Sequence, residues 1–498
     1  MNISKTTFQY FLCCPKNTWL KLHKPELADR FVISEFDKHI MEQGNEVESC
    51  ARNLFPNGIE VVSTGEDACS DTVRLIGSHT PAIFQATFIE NGFLARNDVL
   101  SFNEQNNCWD LYEVKGTNRL KEGSPERDHI IDVTFQVSVL KRANLPLGRF
   151  YVIHINKDYV RVGDLDIKSL FITEDVTDKV LEKLPEVENM MAVAKEYLLN
   201  EKEPAGSCDC LYKSRRNHCS TFSYSNPQVP EYSVHDISRI HKTKLEKLVE
   251  SELFDLNDVP DDLELSDKQR NQVSAHQTQR PVIDKTEIKR ELDALKFPLY
   301  FLDYEAVGPA IPVFNGYKPY QRIPFQFSLH ILRTPGGEME HIEYLHPDLT
   351  DPSENVAKLL KQHIQGGSVI AWHKSYEAGV NRELGERLPY YTDFMQQVNN
   401  SLYDLKDIFQ DQYYIHDGFH GSASLKKVLP IIDPELSYKT LEIQQGGEAV
   451  DAWWKMISPG TSELESEIIS KNLKIYCGQD TYAMYVIWKH LYNLVNFA

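Results

Sequence analysis

Apolar and polar positions change period several times along the chain. Residues 5–22 and 34–55 carry helical spacing, and Pro56-Asn57-Gly58 ends the second stretch. Three extended runs follow at 83–89, 93–101 and 109–115, separated by Glu90-Asn91-Gly92 and by the polar stretch 103–107. Helical spacing returns at 130–143 and a strand pattern at 149–155, a β-β-β-α-β order that predicts an α/β core. Residues 240–253 read as a helix, 255–267 as an acidic stretch and 274–280 as a polar loop. A buried-strand run at 297–302 opens the last part, and strand patterns at 324–332 and 338–345 flank the turn Thr334-Pro335-Gly336-Gly337. Helix, strand and helix are expected at 355–364, 368–372 and 376–388, with a mostly helical remainder after Leu402. No fixed-period repeat is visible.

The chain divides on this pattern into residues 1–229, a polar helical connector at 230–296, and residues 297–498. A length of 498 residues suits about three domains. With 41% hydrophobic and 25% charged residues, sizeable cores can form. No apolar run approaches the ~20 residues of a membrane helix, and residues 1–20 lack a signal-peptide core, so a cytoplasmic protein is expected. The connector reads as a plain helical linker or as a small nucleic-acid-binding insert of helix–hairpin–helix type. The formal net charge of −20 argues against coating nucleic acid by bulk charge. It leaves room for an enzyme acting on nucleic acid, because metal-dependent nucleases need clustered carboxylates.

Asp98 lies within the second extended run, and Glu113 and Lys115 end the third. Strand residues two apart share a face, so Glu113 and Lys115 point together and a hairpin neighbour can present Asp98 beside them. Two carboxylates suit a hard cation such as Mg²⁺ or Mn²⁺, and an ammonium beside it can position water for phosphodiester hydrolysis. Glu-x-Lys alone is weak, since Glu287-Ile288-Lys289 matches too. Asp132 and Gln136, four apart, share a face of the following helix. The set resembles the RecB-like PD-(D/E)xK nucleases, including the CRISPR-associated iron–sulfur members. The resemblance implies a restriction-endonuclease-like core with Asp98, Glu113, Lys115 and Gln136 in the active site. Where many members carry a His four residues after a Gly, this chain has Glu48 after Gly44, which implies an acidic metal ligand or a weakened site. Without that resemblance, the same residues read as an ordinary charged hairpin.

Nine cysteines, an odd number, do not form a disulfide framework in a cytosolic chain. Cys14-Pro15 after a helix resembles the opening of the iron–sulfur members, which hold a [4Fe–4S] cluster with one early and three late cysteines. The matching residues are Cys14, Cys208, Cys210 and Cys219; four thiolates suit zinc as well, and incidental buried thiols are the third reading. Lys213, Arg215, Arg216 and His218 form a basic tract beside them, either a path for a strand or a solvated loop.

Asp303-Tyr304-Glu305 closes the first strand of the last part with two carboxylates on one face. Tyr476 and Asp480 stand one helical turn apart, and Glu377 follows Trp372-His373. Four such carboxylates can clamp two divalent ions, with the tyrosine orienting water or phosphate. The pattern resembles the tyrosine-bearing RNase H-like DEDD exonucleases, with Glu377 in place of their usual middle Asp and Asp404 as a further acid. The domain could also keep the fold and only bind. The whole order resembles a family of bacterial RecB-like nucleases carrying a C-terminal domain of unknown function. It implies a two-centre nuclease acting on DNA ends or single strands and, by analogy, a helicase or defence-system partner. An RNA-processing nuclease and a nucleic-acid-binding adaptor with degenerate sites are the alternatives.

Overall fold

The computed structural model describes residues 1–124 and 127–497, apart from the side chains of Glu35 and Phe36. The chain is a mixed α/β protein in two compact units, Met1–Pro227 with Pro309–Tyr320, and Gln228–Gly308 with Gln321–Ala498. Residues 230–296, read above as a connector, lie within the second unit.

The first unit holds a seven-stranded sheet of β1 (Ile3–Ser4), β2 (Ile59–Glu60), β3 (Ala82–Glu90), β4 (Phe93–Asn103), β5 (Cys108–Lys115), β6 (Leu147–Ile155) and β7 (Phe171–Asp175). Its order is β2-β3-β4-β5-β6-β7, with β1 beside β4. β3, β4 and β5 pair antiparallel, and Asn91 and Gly92 supply the positive φ that the tight β3–β4 turn requires. β5 and β6 run parallel, so a crossover must join them, and the helix His129–Arg142 supplies it. Asp128 caps that helix, accepting from the Ile130 and Ile131 amides, and residues 129–140 are all buried. Phe135 stacks on Phe8 with ring centroids 5.1 Å apart, which fastens the helix Lys5–Cys13 to the core.

The stretch 5–22 is two helices, Lys5–Cys13 and Pro15–His23, because Cys14 is extended and Pro15 can only start a helix there. The helices Gly65–Gly77 and Thr177–Leu199 were not foreseen. The second, 23 residues long, contains Pro185, which masks its period.

The second unit holds a small pair, β8 (Val282–Ile283) with the strand Tyr414–Ile415, and a five-stranded sheet. The sheet contains β9 (Leu299–Val307), β10 (Ile323–Leu332), β11 (Met339–Leu345), β12 (Ser368–Ala371) and β13 (Leu402–Asp404), in the order β11-β10-β9-β12-β13. β14 is Tyr414–Ile415. β9 runs two residues past its acids, to Val307. β9, β10 and β11 are antiparallel, and β12 and β13 run parallel to β9. Every residue of β10 is buried, and the 34-residue helix Glu463–Asn496 covers it. The loop expected at 274–280 is largely helix: Asp267–Thr278 starts from a capping box between Ser266 and Gln269. Its polar residues are what misled, since Gln269 and Gln272 are buried there and hydrogen-bonded to Ser238 and Asp236. Among the described residues no helix is long and apolar enough to cross a membrane.

Phe135→Ala should destabilise the first unit by about 3–5 kcal/mol, because it leaves a cavity against Phe8 and Phe93. Urea unfolding followed by circular dichroism measures this, and a loss under about 1 kcal/mol would contradict the packing described.

Candidate metal centres

β9 alternates its side chains, so Asp303 and Glu305 emerge on one face while Tyr304 turns to the other side and bonds Asn381 at 2.7 Å. The helix Glu463–Asn496 brings Tyr476 and Asp480, one turn apart, onto the same spot. Two polar contacts fix that helix against β10: Gln326 donates to the Leu473 carbonyl at 2.9 Å, and Ser328 meets the Thr481 hydroxyl at 2.7 Å. Asp303, Glu305 and Asp480 offer carboxylate oxygens that all lie within 4.8 Å of one another. Glu377, in the first turn of Ser375–Arg387, is buried close by, and its Oε2 has no hydrogen-bond partner among the described residues.

The electrostatics follow from this crowding. Burial, then Asp480, Glu305 and Glu377, push the Asp303 carboxyl well above its usual range. Glu305 is pushed well up by burial and Asp480, against the pull of Lys426. Burial carries Glu377 to about 8, and it carries Asp480 to about 6 against the Tyr438 hydroxyl, which donates to Asp480, and Lys426. Lys426 is the cation that acts on Glu305 and Asp480, and its Nζ lies 5.5 Å from the Tyr438 ring centroid and 6.0 Å from that of Tyr476, while Arg322 acts on Glu377. A divalent cation is the chemical complement of such a set. Asp404 is not free for that task. Its carboxylate accepts the His373 and Lys374 amides at 2.9 Å and shapes the turn in which His373 takes φ 81°. Tyr438 and Lys426 were missed; they lie outside every motif and no local spacing marks them.

In the first unit Val99 pairs with Tyr112, which sets Asp98 against the end of β5, where its carboxylate accepts the Val114 amide at 2.8 Å. Glu113 is 1% exposed. One of its oxygens meets Lys115 at 2.9 Å and Lys5, and the other takes Gln136 at 2.7 Å. Lys115 also pairs with Asp132, which accepts from Gln9. Burial raises Asp98 to about 8, with help from Glu113. Burial alone would raise Glu113 too, yet Lys115 and Lys5 outweigh it and hold the carboxyl below its usual range. Gln136 keeps a buried Oε1 without a partner among the described residues. Glu48 lies near enough to raise Asp98, but one of its oxygens is held by Arg52 at 2.8 Å and accepts from Gln85, which takes φ 57°. Asp98, Glu113 and Glu48 do not converge as tightly as the second-unit acids. Sequence reasoning missed Lys5, whose contact with Glu113 spans 108 residues. Its spacing of four from Gln9 was the available signal.

Cys14, Cys208, Cys210 and Cys219 bring their sulfurs within 4.8 Å of one another, a buried cluster able to bind a metal. Cys208 and Cys219 lie 3.9 Å apart, and Asn226 donates to the Cys208 sulfur at 3.4 Å. Hydrogen bonding from Cys14 draws Cys208 down, and it draws Cys210 down to about 7, while hydrogen bonding within the same quartet pushes Cys14 and Cys219 up. The basic tract folds onto this loop. Lys213 donates to the Cys13 carbonyl at 3.4 Å, Arg215 lies 6.0 Å from the Phe222 ring centroid, His218 stacks on Phe222 at 3.5 Å, and Arg216 is exposed.

A family described as a domain of unknown function (DUF2779) matches residues 300–424, a span that holds Asp303, Glu305, Glu377 and Asp404 but neither Tyr476 nor Asp480. The uncharacterized protein MG366 of Mycoplasma genitalium is 23% identical over 225 residues, 42% of this chain and 34% of its own length. The uncharacterized protein UU173 of Ureaplasma parvum is 26% identical over 226 residues, 41% of this chain and 32% of its own. The chain thus spans about a third of the length of these curated relatives. No solved structure matches.

The raised carboxyls make a pH prediction. Asp98, Glu377 and Asp480 hold protons in the folded state that the unfolded chain has released by ~pH 4–5. Folding therefore takes up protons above that pH, and stability falls as pH rises toward about 8. Glu113 acts in the opposite sense only below its unfolded value near ~4.3, and His129 and His330, drawn down to about 4 by burial, do so up to their unfolded value near ~6.5. Without added divalent cation, thermal unfolding should come earlier at about pH 8 than at about pH 7, where the histidines are neutral in both states. Mg²⁺ should restore the loss, and Asp303→Asn should flatten the slope. A melting temperature that rises over this window would contradict the electrostatics.

Proposed function

We propose that this chain is a metal-dependent nuclease with two centres, hydrolysing DNA phosphodiester bonds at ends or in single strands. The observation that carries the reading is the convergence of Asp303, Glu305 and Asp480 within 4.8 Å, with Glu377 and Tyr476 beside them. Divalent cations held there would activate water and stabilise the leaving oxygen. The chain's own residues then divide the work. The three carboxylates hold the cations, Glu377 is the fourth acid, and Lys426 offsets part of the negative charge. Tyr476 supplies a hydroxyl beside Asp480; burial pushes its ionisation far above neutral pH, so it stays a donor.

Strand order supports an RNase H-like reading of this unit. The first three strands are antiparallel, and the fourth and fifth join the other side of the first, parallel to it. The β3-β4-β5-helix-β6 succession supports a restriction-endonuclease-like reading of the first unit. There Asp98 and Glu113 are the cation ligands, Lys115 the ammonium facing the water, and Gln136 the residue that orients Glu113. The four cysteines fit a [4Fe–4S] cluster, with zinc as the rival; their separation and their lowered Cys208 and Cys210 thiols suit either.

Two predictions test this. On end-labelled single-stranded DNA with Mg²⁺ or Mn²⁺, Asp303→Asn should abolish shortening from the end while keeping affinity, since the lost charge stabilisation acts in the transition state. Tyr476→Phe should cost less, about 10–100-fold, because it removes a hydroxyl and no ligand. Lys115→Ala should remove the remaining cleavage. Shortening that survives Asp303→Asn in the Lys115→Ala background would make the second unit a binding module. Purified without oxygen, the protein should be brown and bleach with dithionite, and Cys14→Ser or Cys219→Ser should lose the colour. Colourless protein with stoichiometric zinc would assign the cluster to zinc.

A further inference from the structure

The Glu113 centre is closed by a helix that no active-site motif contains. Lys5 donates to Glu113, Lys115 bridges Glu113 and Asp132, and Gln9 donates to Asp132. Lys5 and Gln9 are one turn apart on the helix Lys5–Cys13, so the helix completes a ring of five side chains. The same helix runs directly into Cys14, whose amide caps it by donating to the Tyr10 carbonyl at 2.9 Å. At ~1.5 Å per residue, Lys5 and Cys14 stand only ~13 Å apart along it. Its far end is stitched to the cysteine loop. Lys213 reaches the Cys13 carbonyl at 3.4 Å, and Asn17, in the helix Pro15–His23 that follows Cys14, accepts from the Thr221 amide and hydroxyl at 3.1 and 2.7 Å, beside Cys219.

We propose that the helix Lys5–Cys13 couples the four-cysteine cluster to the Glu113 centre, with Lys5 and Gln9 as positioning residues that set how tightly the centre holds a divalent cation. The proposal rests on reading Asp98 and Glu113 as cation ligands. Metal bound by Cys14, Cys208, Cys210 and Cys219 fixes the helix's end and thereby its register. In that register the Lys5 ammonium lies on the Glu113 carboxylate, where it competes with a cation. Loss of the cluster metal frees Cys14, loosens the helix and withdraws Lys5, so the centre then binds cation more tightly. Phe8 on Phe135 keeps the helix docked meanwhile. The coupling thus changes where Lys5 sits and leaves the fold in place.

The test is a Mn²⁺ titration of the full chain, read by the electron paramagnetic resonance of free Mn²⁺. An Asp303→Asn/Asp480→Asn background silences the second centre. Lys5→Met should tighten binding about tenfold by removing a competing unit charge, and Lys5→Arg should stay near the parent. Stripping the cluster with a soft-metal chelator, then desalting, should give a similar tightening, and Lys5→Met should add nothing to it. Reciprocity supplies a second readout on loaded protein. Saturating Mg²⁺ should lower the chelator concentration that removes half the cluster metal, and Lys5→Met should abolish that shift. Should stripping cost helical circular dichroism, this second readout decides. Tightenings that multiply, or a half-loss point indifferent to Mg²⁺, overturn the coupling. Absence of any Mn²⁺ binding that Glu113→Gln removes would instead sink the cation-ligand reading beneath it.

Discussion

Asp303, Glu305 and Asp480 hold carboxylate oxygens within 4.8 Å of one another in the second unit, Glu305 buried and the other two half-buried. Two unit charges at that separation repel by about 3–4 kcal/mol even at an effective dielectric of 20. A fold that keeps three together must neutralise them with protons or with cation. Here the protein cations are few, Lys426 being the one that lowers Glu305 and Asp480. The rest of the unit is arranged to hold this geometry against that repulsion. β10 is buried along its whole length, Gln326 and Ser328 lock the long helix to it, and Tyr438 takes up one oxygen of Asp480.

The first unit solves a similar problem differently. Glu113 is more deeply buried, but two lysines and a glutamine converge on it, so it stays ionised where Asp98 does not. Its charge balance belongs to a network that reaches through one helix to four cysteines. The first set thus carries its own counter-charge, and the second is left to protons or to added cation.

Period-two patterns made β9 and the β3-β4-β5 run legible, because each buries one face or both and the polar exceptions, Asp303, Glu305, Glu113 and Lys115, fall on a single side. The position of Asp98 against β5 followed from a short hairpin. What sequence could not carry was long-range closure. Lys5 meets Glu113 across 108 residues, signalled only by its spacing of four from Gln9, and Tyr438 meets Asp480 across 42 with no local spacing to announce it. Asp404 shows the converse, an acid whose position suits a ligand but whose oxygens are consumed by backbone amides. The helices Thr177–Leu199 and Asp267–Thr278 escaped because an internal proline and buried glutamines break the rules by which helices are recognised.

If the second-unit acids form a cation seat, Mn²⁺ must be found among them. Diffraction from crystals of the full chain soaked in Mn²⁺, collected at the manganese edge, tests this without any assay. An anomalous peak bridging Asp303, Glu305 and Asp480, lost in Asp303→Asn, is the predicted result. Ordered carboxylates with no anomalous density at saturating Mn²⁺ would contradict it.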